Sequence, residues 1–282
     1  MEKFCDLHTH SIYSDGTCSP EEIIGEAIKI GLSAVALTDH NTVDGLSHFI
    51  AAANGKNIEI VPGAEFSIDY DGIELHMLGL FIDPRHFNEV SELMDSVNKS
   101  KEESNILLIE SLACAGYPLD YYAIKTKTPN GKINRSQIAD AMLQKGYVRS
   151  KDEAFGSLLS PEAGHYKEPK RLSAMEMIDF IRSIGALPIL AHPFLDFKHK
   201  DKIVDFLYTA KDRGLVGMEC HYSTYNAETT EMALRLAKEL ELIPSGGSDF
   251  HGKAKEDINL GIGKGNLRVP YESYLELKNF PR

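Results

Sequence analysis

"FCDLHTHSIYSDG" (residues 4–16) places a short apolar run directly before His8, His10 and Asp15. In extended chain the side chains of residues i and i+2 point to the same side, so His8 and His10 can reach one ion or two neighbouring ions. Two interpretations are open at this point. The stretch is either a polar loop that happens to contain imidazoles or the first part of a metal site at the end of a strand.

Similar short apolar runs recur along the chain and alternate with amphipathic helical patterns. The strand candidates are "SAVALT" (33–38), "IEIV" (58–61), "ELHMLGLF" (74–81), "LPILA" (187–191), "LVGMEC" (215–220) and "LIPSG" (242–246). Helical patterns lie at 19–31, 44–54, 173–184, 200–213 and 227–240. Strands that alternate with helices predict an α/β fold with a mainly parallel sheet, closed or open. In such a fold the carboxyl ends of the strands share one face, where ligands bind.

Polar side chains with metal-ligand chemistry lie in or after most of these runs. They are Asp39 and His40, Glu65, His76, His192, and Asp249 with His251. One histidine in such a place is more often structural than a ligand. The recurrence of six histidines and three carboxylates (His8, His10, Asp15, His40, Glu65, His76, His192, Asp249 and His251) predicts a metal centre. Gly246 and Gly247 would let the backbone approach it closely.

The donor set also predicts which ions bind and which ligand they attract. Imidazole and carboxylate without thiolate suit zinc, manganese or iron. Nine side chains are too many for one ion, whereas three ions that share Glu65 would use them all. Three divalent ions against three carboxylates leave a charge of about +3, which favours an anion such as phosphate.

Residues 88–170 interrupt the alternation of strands and helices. The pattern predicts a long helix at 88–115, a turn at "GYPLDYY" (116–122), a loop at "KTKTPNGK" (125–132), and helices at 135–145 and 151–158. We therefore expect a barrel-like domain of residues 1–98 and 171–282 that carries a helical insertion of residues 99–170.

The composition restricts the possible partners. The chain has 282 residues and a net charge of −12, which disfavours a protein that coats long duplex nucleic acid. Residues 121–171 contain ten Lys and Arg against five Asp and Glu, so this segment carries +5 and the remainder −17. The basic segment is either an ordinary solvated surface or an attractor for anions. No apolar run is long enough to span a membrane, and the first ten residues lack the apolar core of a signal peptide. Four scattered cysteines suit a cytoplasmic protein, and no protein partner is indicated.

Six motifs resemble those of the PHP (polymerase and histidinol phosphatase) family over nearly the whole chain. They are "DLHTHSIYSDG", "LTDHNTVDG", "PGAEFS", "ELHMLG", "LAHP" and "GSDFHG". The resemblance implies a distorted (β/α)₇ barrel with a trinuclear metal centre. It implies one metal between His8, His10, Glu65 and Asp249, a second between Glu65, His76 and His192, and a third between Asp15, His40 and His251. Asp39 would support the ligands without touching a metal.

Within that family, the length and the insertion are most similar to bacterial phosphoesterases that act alone. The resemblance implies removal of the 3′-phosphate from nucleoside 3′,5′-bisphosphates, and it extends to trimming of short RNA from the 5′ end. It implies that Arg135, which starts a helix in "INRSQIADAML" (133–143), contacts substrate phosphate. Lys167, Lys170 and His221 are weaker candidates for substrate binding. Like Arg135, each of them could instead be an ordinary polar residue on the surface. As a hypothesis, a hydroxide that bridges two metals attacks phosphorus, with Glu65, Asp249 and His192 as catalytic residues.

Three alternatives remain open from the sequence. The same centre could hydrolyse histidinol phosphate, although the basic insertion favours a substrate with more than one phosphate. The chain could also be a non-catalytic PHP module that binds metal for structure, but such modules tend to have lost ligands. A C–N hydrolase of the wider superfamily is disfavoured, because such enzymes often use a carboxylated lysine and no apolar run here ends in lysine.

Overall fold

The computed structural model describes residues 3–128, 133–169, 172–195 and 197–282. Within it the chain divides into two compact units, Met1–Ser91 with Leu172–Arg282, and Glu92–Arg171. The first division falls inside one continuous helix, so no linker marks it in the sequence. None of the helices in the described ranges is long and apolar enough to cross a membrane.

The first unit is built on a strongly bent sheet. Its strands are β1 (Phe4–Asp6), β2 (Ala34–Leu37), β3 (Glu59–Tyr70), β4 (Ile73–Leu80), β5 (Leu172–Ser173), β6 (Leu187–Ala191), β7 (Gly217–Tyr222), β8 (Ile243–Gly247) and β9 (Val269–Pro270). Their order is β8-β7-β6-β4-β3-β2-β1-β9, and β5 pairs with β3. The pairs β1–β2, β2–β3, β6–β7 and β7–β8 are parallel.

Two hydrogen bonds join the residues that follow β1 to β8 and to the residues that follow β8. The Leu7 amide donates to the Gly246 carbonyl at 3.1 Å, and the Asp249 amide donates to the His8 carbonyl at 2.9 Å. The sheet is thus a nearly closed barrel, in agreement with the distorted barrel that the motifs implied. Closure matters for function because it brings the segments after β1 and β8 next to each other.

The strand β4 runs antiparallel to both of its neighbours, β3 and β6. It follows β3 through a two-residue turn in which Asp71 and Gly72 both have positive φ, 50° and 75°. An Asp-Gly pair suits this kind of hairpin turn. The pairing of β3 with β5 is also parallel, whereas β4 and β9 pair antiparallel with their neighbours, so the sheet is mixed.

Within the described ranges six α-helices belong to the barrel unit, and the periodicity predicted all of them except the last. They are α1 (Pro20–Lys29), α2 (Leu46–Ala53), α7 (Ala174–Ser183), α8 (Lys200–Arg213), α9 (Ala227–Glu239) and α10 (Tyr271–Asn279). Ser19 and Glu22 form a capping box at the start of α1, and Ser173 and Glu176 form one at the start of α7. Each box satisfies backbone groups that a helix start leaves unpaired. Tyr274 and Leu277 of α10, a helix that the sequence pattern missed, are part of the barrel core.

The second unit is helical. The helix α3 (Phe87–Cys114) runs into it, followed by α4 (Tyr121–Lys127), α5 (Arg135–Gln144) and α6 (Lys151–Phe155). The predicted turn and loop over 116–132 are wrong in part, because α4 occupies the middle of that stretch. The Asp120 side chain accepts a hydrogen bond from the Ala123 amide at 3.0 Å and so caps α4. Residues 129–132 of the predicted loop lie outside the described residues.

Candidate metal centre

All nine predicted ligands lie together at one end of the barrel. Their donor atoms form four overlapping groups, each within 4.8 Å: His10, Asp15, His40 and His251; His8, His10 and Asp249; His8, Glu65 and His192; His40, Glu65 and His76. These residues come from β3, β4 and the segments that follow β1, β2, β6 and β8. The alternative of a polar loop with incidental histidines is therefore not supported by the geometry.

Glu65 is at the middle of the cluster and is fully buried. Its Oε1 atom is 2.8 Å from His76 Nδ1 and 3.0 Å from His192 Nε2. Its Oε2 atom is 3.3 Å from the Nε2 atoms of His8 and His10 and 3.0 Å from His40 Nδ1. One carboxylate thus faces five imidazoles, three on one oxygen and two on the other, as a residue that bridges metal ions would.

The contacts among these donor atoms fit cations. Glu65 Oε2 is buried and has no hydrogen-bond partner of acceptable geometry among the described residues, although three imidazole nitrogens lie nearby. The Nε2 atoms of His8 and His10 face each other at 3.0 Å, so at most one of these two nitrogens can carry a proton. Nitrogen and oxygen atoms lie close together here, and hydrogen bonds do not satisfy all of them. Divalent ions bind to such groups of nitrogen and oxygen atoms.

Glu65 and Asp249 also have the charge that metal binding requires. Burial works against charge on Glu65, but His40, His76 and His8 outweigh it and hold the pKa of Glu65 well below its usual value. The pKa of Asp249 is likewise held well below its ordinary value, against burial, by His251 and Lys255. Both residues are therefore anionic at neutral pH, which is the state that binds metal.

Two of the clustered residues have an unusual backbone conformation, and two glycines lie in close contact with neighbouring chain. His192 and Asp249 have positive φ values of 28° and 56°, a conformation that non-glycine residues rarely adopt and that recurs at functional sites. A Cβ atom on Gly247 would lie 2.4 Å from His8 Cβ, and one on Gly246 would lie 2.3 Å from the His221 carbonyl oxygen. The expected close approach of backbone at Gly246 and Gly247 is confirmed.

Comparison with known proteins agrees with this geometry. The PHP domain family matches residues 6–147, about half of the chain. This chain belongs to the PHP domain family. It is 32% identical over 256 residues to a 5′-3′ exoribonuclease of Haemophilus influenzae, covering 89% of this chain and 91% of the relative. It is 26% identical over 257 residues to a 3′,5′-nucleoside bisphosphate phosphatase of Chromobacterium violaceum, covering 91% and 90%.

A solved structure is similar over nearly the whole PHP protein. An amidohydrolase of Chromobacterium violaceum, solved with bound sulfate and without metal, superimposes with a TM-score of 0.84 at 25% identity, covering 96% of this chain and 95% of that one. The family match and the structural similarity thus both agree with the resemblance that the motifs indicated.

The residue predicted to support the ligands, Asp39, holds the loop after β1. Its Oδ1 atom accepts hydrogen bonds from the Ser11 amide at 2.7 Å and the Ser14 hydroxyl at 2.6 Å, and its Oδ2 atom accepts from the Ser11 hydroxyl at 2.6 Å. His10 and Asp15 flank these two serines in the sequence. Asp39 therefore fixes the loop that carries two of the clustered residues.

Two further residues in this PHP protein orient Asp249 and were not predicted. Its Oδ2 atom accepts hydrogen bonds from the Tyr222 hydroxyl at 2.7 Å and from Lys255 Nζ at 2.6 Å. Its Oδ1 atom is left facing His10 Nε2 at 3.2 Å. Lys255 lies six residues after Asp249, in a short helical turn. It was missed because the sequence analysis considered residues in or directly after the predicted strands.

Buried Asp6 also escaped the sequence analysis, because it stands inside the first apolar run. Its carboxylate accepts hydrogen bonds from the Ser248 amide at 2.8 Å, the Ser248 hydroxyl at 2.5 Å, the Gly261 amide at 2.7 Å and the His8 amide at 3.3 Å. It thus joins the segment that holds His8 to the segment that holds Asp249.

The residues predicted to bind substrate differ in their exposure and in their contacts. Arg135 starts α5, and its guanidinium carbon lies 4.3 Å from the centroid of the Tyr166 ring. Lys167 is exposed, and its backbone carbonyl accepts a hydrogen bond from the Ser104 hydroxyl. His221 is half-buried on β7, and burial lowers its pKa. Lys170 lies outside the described residues. Substrate binding by these residues stays a prediction.

Proposed function

We propose that this protein removes the 3′-phosphate from small nucleotides, nucleoside 3′,5′-bisphosphates above all, with divalent metal ions held by the nine clustered side chains. The protein is a metal-dependent phosphoesterase, a hydrolase of the PHP family. The observation that supports the finer proposal is the cluster of six imidazoles and three carboxylates with Glu65 at its middle, together with a nucleotide phosphatase among the relatives, 90% of whose length is covered.

The cluster supports a centre of two to three ions. We assign one ion to His8, His10, Glu65 and Asp249, one to Glu65, His76 and His192, and one to Asp15, His40 and His251. Zinc, manganese and iron all suit this mixture of imidazole and carboxylate. When bound, such ions lower the pKa of water, orient the phosphoryl group and offset the charge that develops on its oxygens.

The residues of the chain itself have definite tasks in this scheme. Glu65 brings the ligand groups together, and no serine or cysteine nucleophile is required. Tyr222 and Lys255 hold Asp249 by one oxygen and leave the other for the centre. Lys255, whose side chain is 40% exposed, also adds positive charge at the edge of the cluster and so favours an anionic substrate.

One bond cleavage accounts for the names of both relatives. Removal of a 3′-phosphate from a bisphosphate breaks the ester at the 3′-oxygen of a nucleotide that carries a 5′-phosphate. Release of the first nucleotide from 5′-phosphorylated RNA breaks the ester at the same oxygen. Trimming of short RNA is therefore the second candidate activity, and the higher identity to the Haemophilus influenzae exoribonuclease, 32% against 26%, favours it.

Substrate selection is assigned to the basic residues of the sequence prediction. Arg135 is the foremost of them, because its guanidinium is held against an aromatic ring at a capped helix start and can bind a phosphate with two parallel hydrogen bonds. Lys167, Lys170 and His221 are assigned weaker contributions. The net charge of −12 disfavours long strands, so we expect nucleotides and short oligonucleotides as substrates.

The decisive experiment measures inorganic phosphate released from phosphomonoesters and mononucleotide released from oligoribonucleotides, with enzyme whose metal content has been quantified. The panel pairs a nucleoside 3′,5′-bisphosphate with its 3′-monophosphate, a 5′-phosphorylated with a 5′-hydroxyl oligoribonucleotide, and includes histidinol phosphate. We expect the bisphosphate to be hydrolysed with the highest kcat/KM. Preferred hydrolysis of histidinol phosphate would establish the alternative phosphatase, and no turnover of any ester with metals bound would favour the non-catalytic module.

A variant pair links that activity to the cluster. Glu65→Gln keeps the size of the side chain but removes the central negative charge, so we expect both turnover and metal content to be lost. The matched control is Glu92→Gln on the exposed face of α3, which should leave both unchanged. Retained turnover in Glu65→Gln would refute the role given to this cluster.

A further inference from the structure

Glu219 on β7 is fully buried beside the cluster, yet no motif singled it out. Its Oε1 atom is 3.0 Å from His8 Nδ1. Its Oε2 atom accepts a hydrogen bond of 2.7 Å from the backbone amide of His192. Both partners belong to the group formed by His8, Glu65 and His192, so one carboxylate connects two ligands from opposite parts of the sequence.

The strand is built to bring Glu219 to this place. The pairing of β7 with β8 shifts register between Glu219 and His221, which marks a β-bulge. Because of the bulge, Glu219 and Tyr222, three residues apart, both contact clustered residues. Bulges re-aim side chains next to active sites in this way.

The contact with His8 decides which ring nitrogen is free. When Nδ1–H donates to Glu219, the lone pair of Nε2 faces the cluster, where His10 Nε2 lies at 3.0 Å and Glu65 Oε2 at 3.3 Å. A carboxylate on the far nitrogen of a ligating imidazole fixes its tautomer and ring orientation and strengthens its bond to metal.

The contact with His192 supports a strained backbone. His192 has a φ of 28°, a strained conformation that persists only where the surrounding structure enforces it. The hydrogen bond to Glu219 holds the amide in place, while the ring Nε2 reaches Glu65 Oε1 at 3.0 Å. Glu219 thus sets the direction from which His192 enters the cluster.

We propose that Glu219 is a positioning residue that sets the metal affinity of the group formed by His8, Glu65 and His192. The inference rests on the metal centre of the proposed function but not on its substrate. Glu219 touches neither substrate nor metal in this scheme and acts through the two histidines.

The test is Glu219→Gln, with affinity for Mn²⁺ and for Zn²⁺ measured by titration against a competing chelator. If the carboxamide NH₂ faces the His192 amide, that hydrogen bond is lost. If it faces His8 Nδ1, it can only donate, so the His8 proton must move to Nε2, the nitrogen that faces the cluster. We expect at least one bound ion to lose affinity by about 10- to 100-fold. Cys220→Ala is the matched control, because Cys220 is the buried neighbour on the same strand but is not part of the clustered groups.

Stability measurements separate positioning from a merely structural role. The thermal midpoint of each metal-free variant is recorded, since both substitutions should lower it while only Glu219→Gln should weaken metal binding. Unchanged affinity in Glu219→Gln, or an equal loss in Cys220→Ala, would overturn the proposal. If Glu219→Gln does not fold, Glu219→Asp replaces it, because the shorter carboxylate cannot reach both histidines, and wild-type affinity in that variant would equally overturn the proposal.

The outcome is distinguishable from a failure of the proposed function. If the wild-type protein binds metal but hydrolyses none of the esters, the function fails while the role of Glu219 is still decided by affinity. If the wild-type protein binds no metal, the metal centre fails and the role of Glu219 with it.

Discussion

Replacing Asp6 by Asn should destabilise the barrel strongly although it replaces only one non-hydrogen atom. The carboxylate is fully buried and accepts four hydrogen bonds, from the amides of His8, Ser248 and Gly261 and from the Ser248 hydroxyl. An asparagine NH₂ in place of Oδ1 would face two backbone amides. In place of Oδ2 it would face the Gly261 amide and the Ser248 hydroxyl, and only the hydroxyl can turn to accept.

The better orientation therefore loses one hydrogen bond and leaves the Gly261 amide buried without an acceptor. A hydrogen bond to a charged group contributes about 1.5–3 kcal/mol, and an unsatisfied buried donor costs about 1–3 kcal/mol. Relief from burying a charge offsets part of that sum. We expect a net loss of about 2–4 kcal/mol, which corresponds to a fall in melting temperature of roughly 4–16 °C for a domain of this size.

The assay is thermal unfolding of Asp6→Asn beside wild type, in chelator and with metal restored. Asp95→Asn on the exposed face of α3 is the control for loss of one negative charge. A melting temperature for Asp6→Asn within about 1 °C of wild type in both conditions would refute the reasoning, as would an equal fall in the control.

Three further predictions concern metal, pH and substrate. Chelation should lower the melting temperature and metal should restore it, because each ion present at a thousand times its Kd stabilises by about 4 kcal/mol; an unchanged melting curve would contradict the centre. Burial and a hydrogen bond to Glu59 raise the pKa of Tyr274 to about 12, so the stability that its neutral form contributes is present below about pH 10 and lost as the pH rises through about 12. The difference in urea midpoint between wild type and Tyr274→Phe should therefore shrink over that window, and a constant difference would refute the assignment. Arg135→Ala should lower kcat/KM about 10- to 100-fold for bisphosphates and less for monophosphates; equal losses would contradict a contact with the second phosphate.

The nine clustered residues could be predicted because a parallel barrel imposes a simple rule on sequence. The carboxyl ends of the strands meet at one face, so His40 after β2 and His192 after β6 must approach each other wherever they lie in the chain. The same rule explains why His76 was found on weaker grounds. It lies inside β4, which runs antiparallel, and joins the cluster because the Asp-Gly turn folds β4 back along β3.

The supporting residues escaped because their roles depend on details that the chain does not display locally. Asp6 stands within a run that otherwise has the pattern of a buried strand, and its partners Ser248 and Gly261 follow more than 240 residues later. Glu219 lies inside the apolar pattern of β7 rather than after its end, and its partners His8 and His192 are far from it in the sequence. The helix α4 was missed for a different reason, since its cap at Asp120 lies in a stretch whose Gly, Pro and Asp also suit a turn.

Three buried carboxylates outside the clustered groups have one feature in common. Asp6 joins the segments after β1 and β8, Asp39 joins the loop after β1 to the end of β2, and Glu219 joins the segments after β1 and β6. Each therefore ties two ligand-bearing segments together by hydrogen bonds that need no metal. A centre whose ligands come from so many strands would otherwise have to be assembled by the ions alone, at the cost of ordering every segment on binding. Preorganisation by these carboxylates means that removal of any one should weaken metal binding as well as the fold, and that two such substitutions on a shared segment should be non-additive.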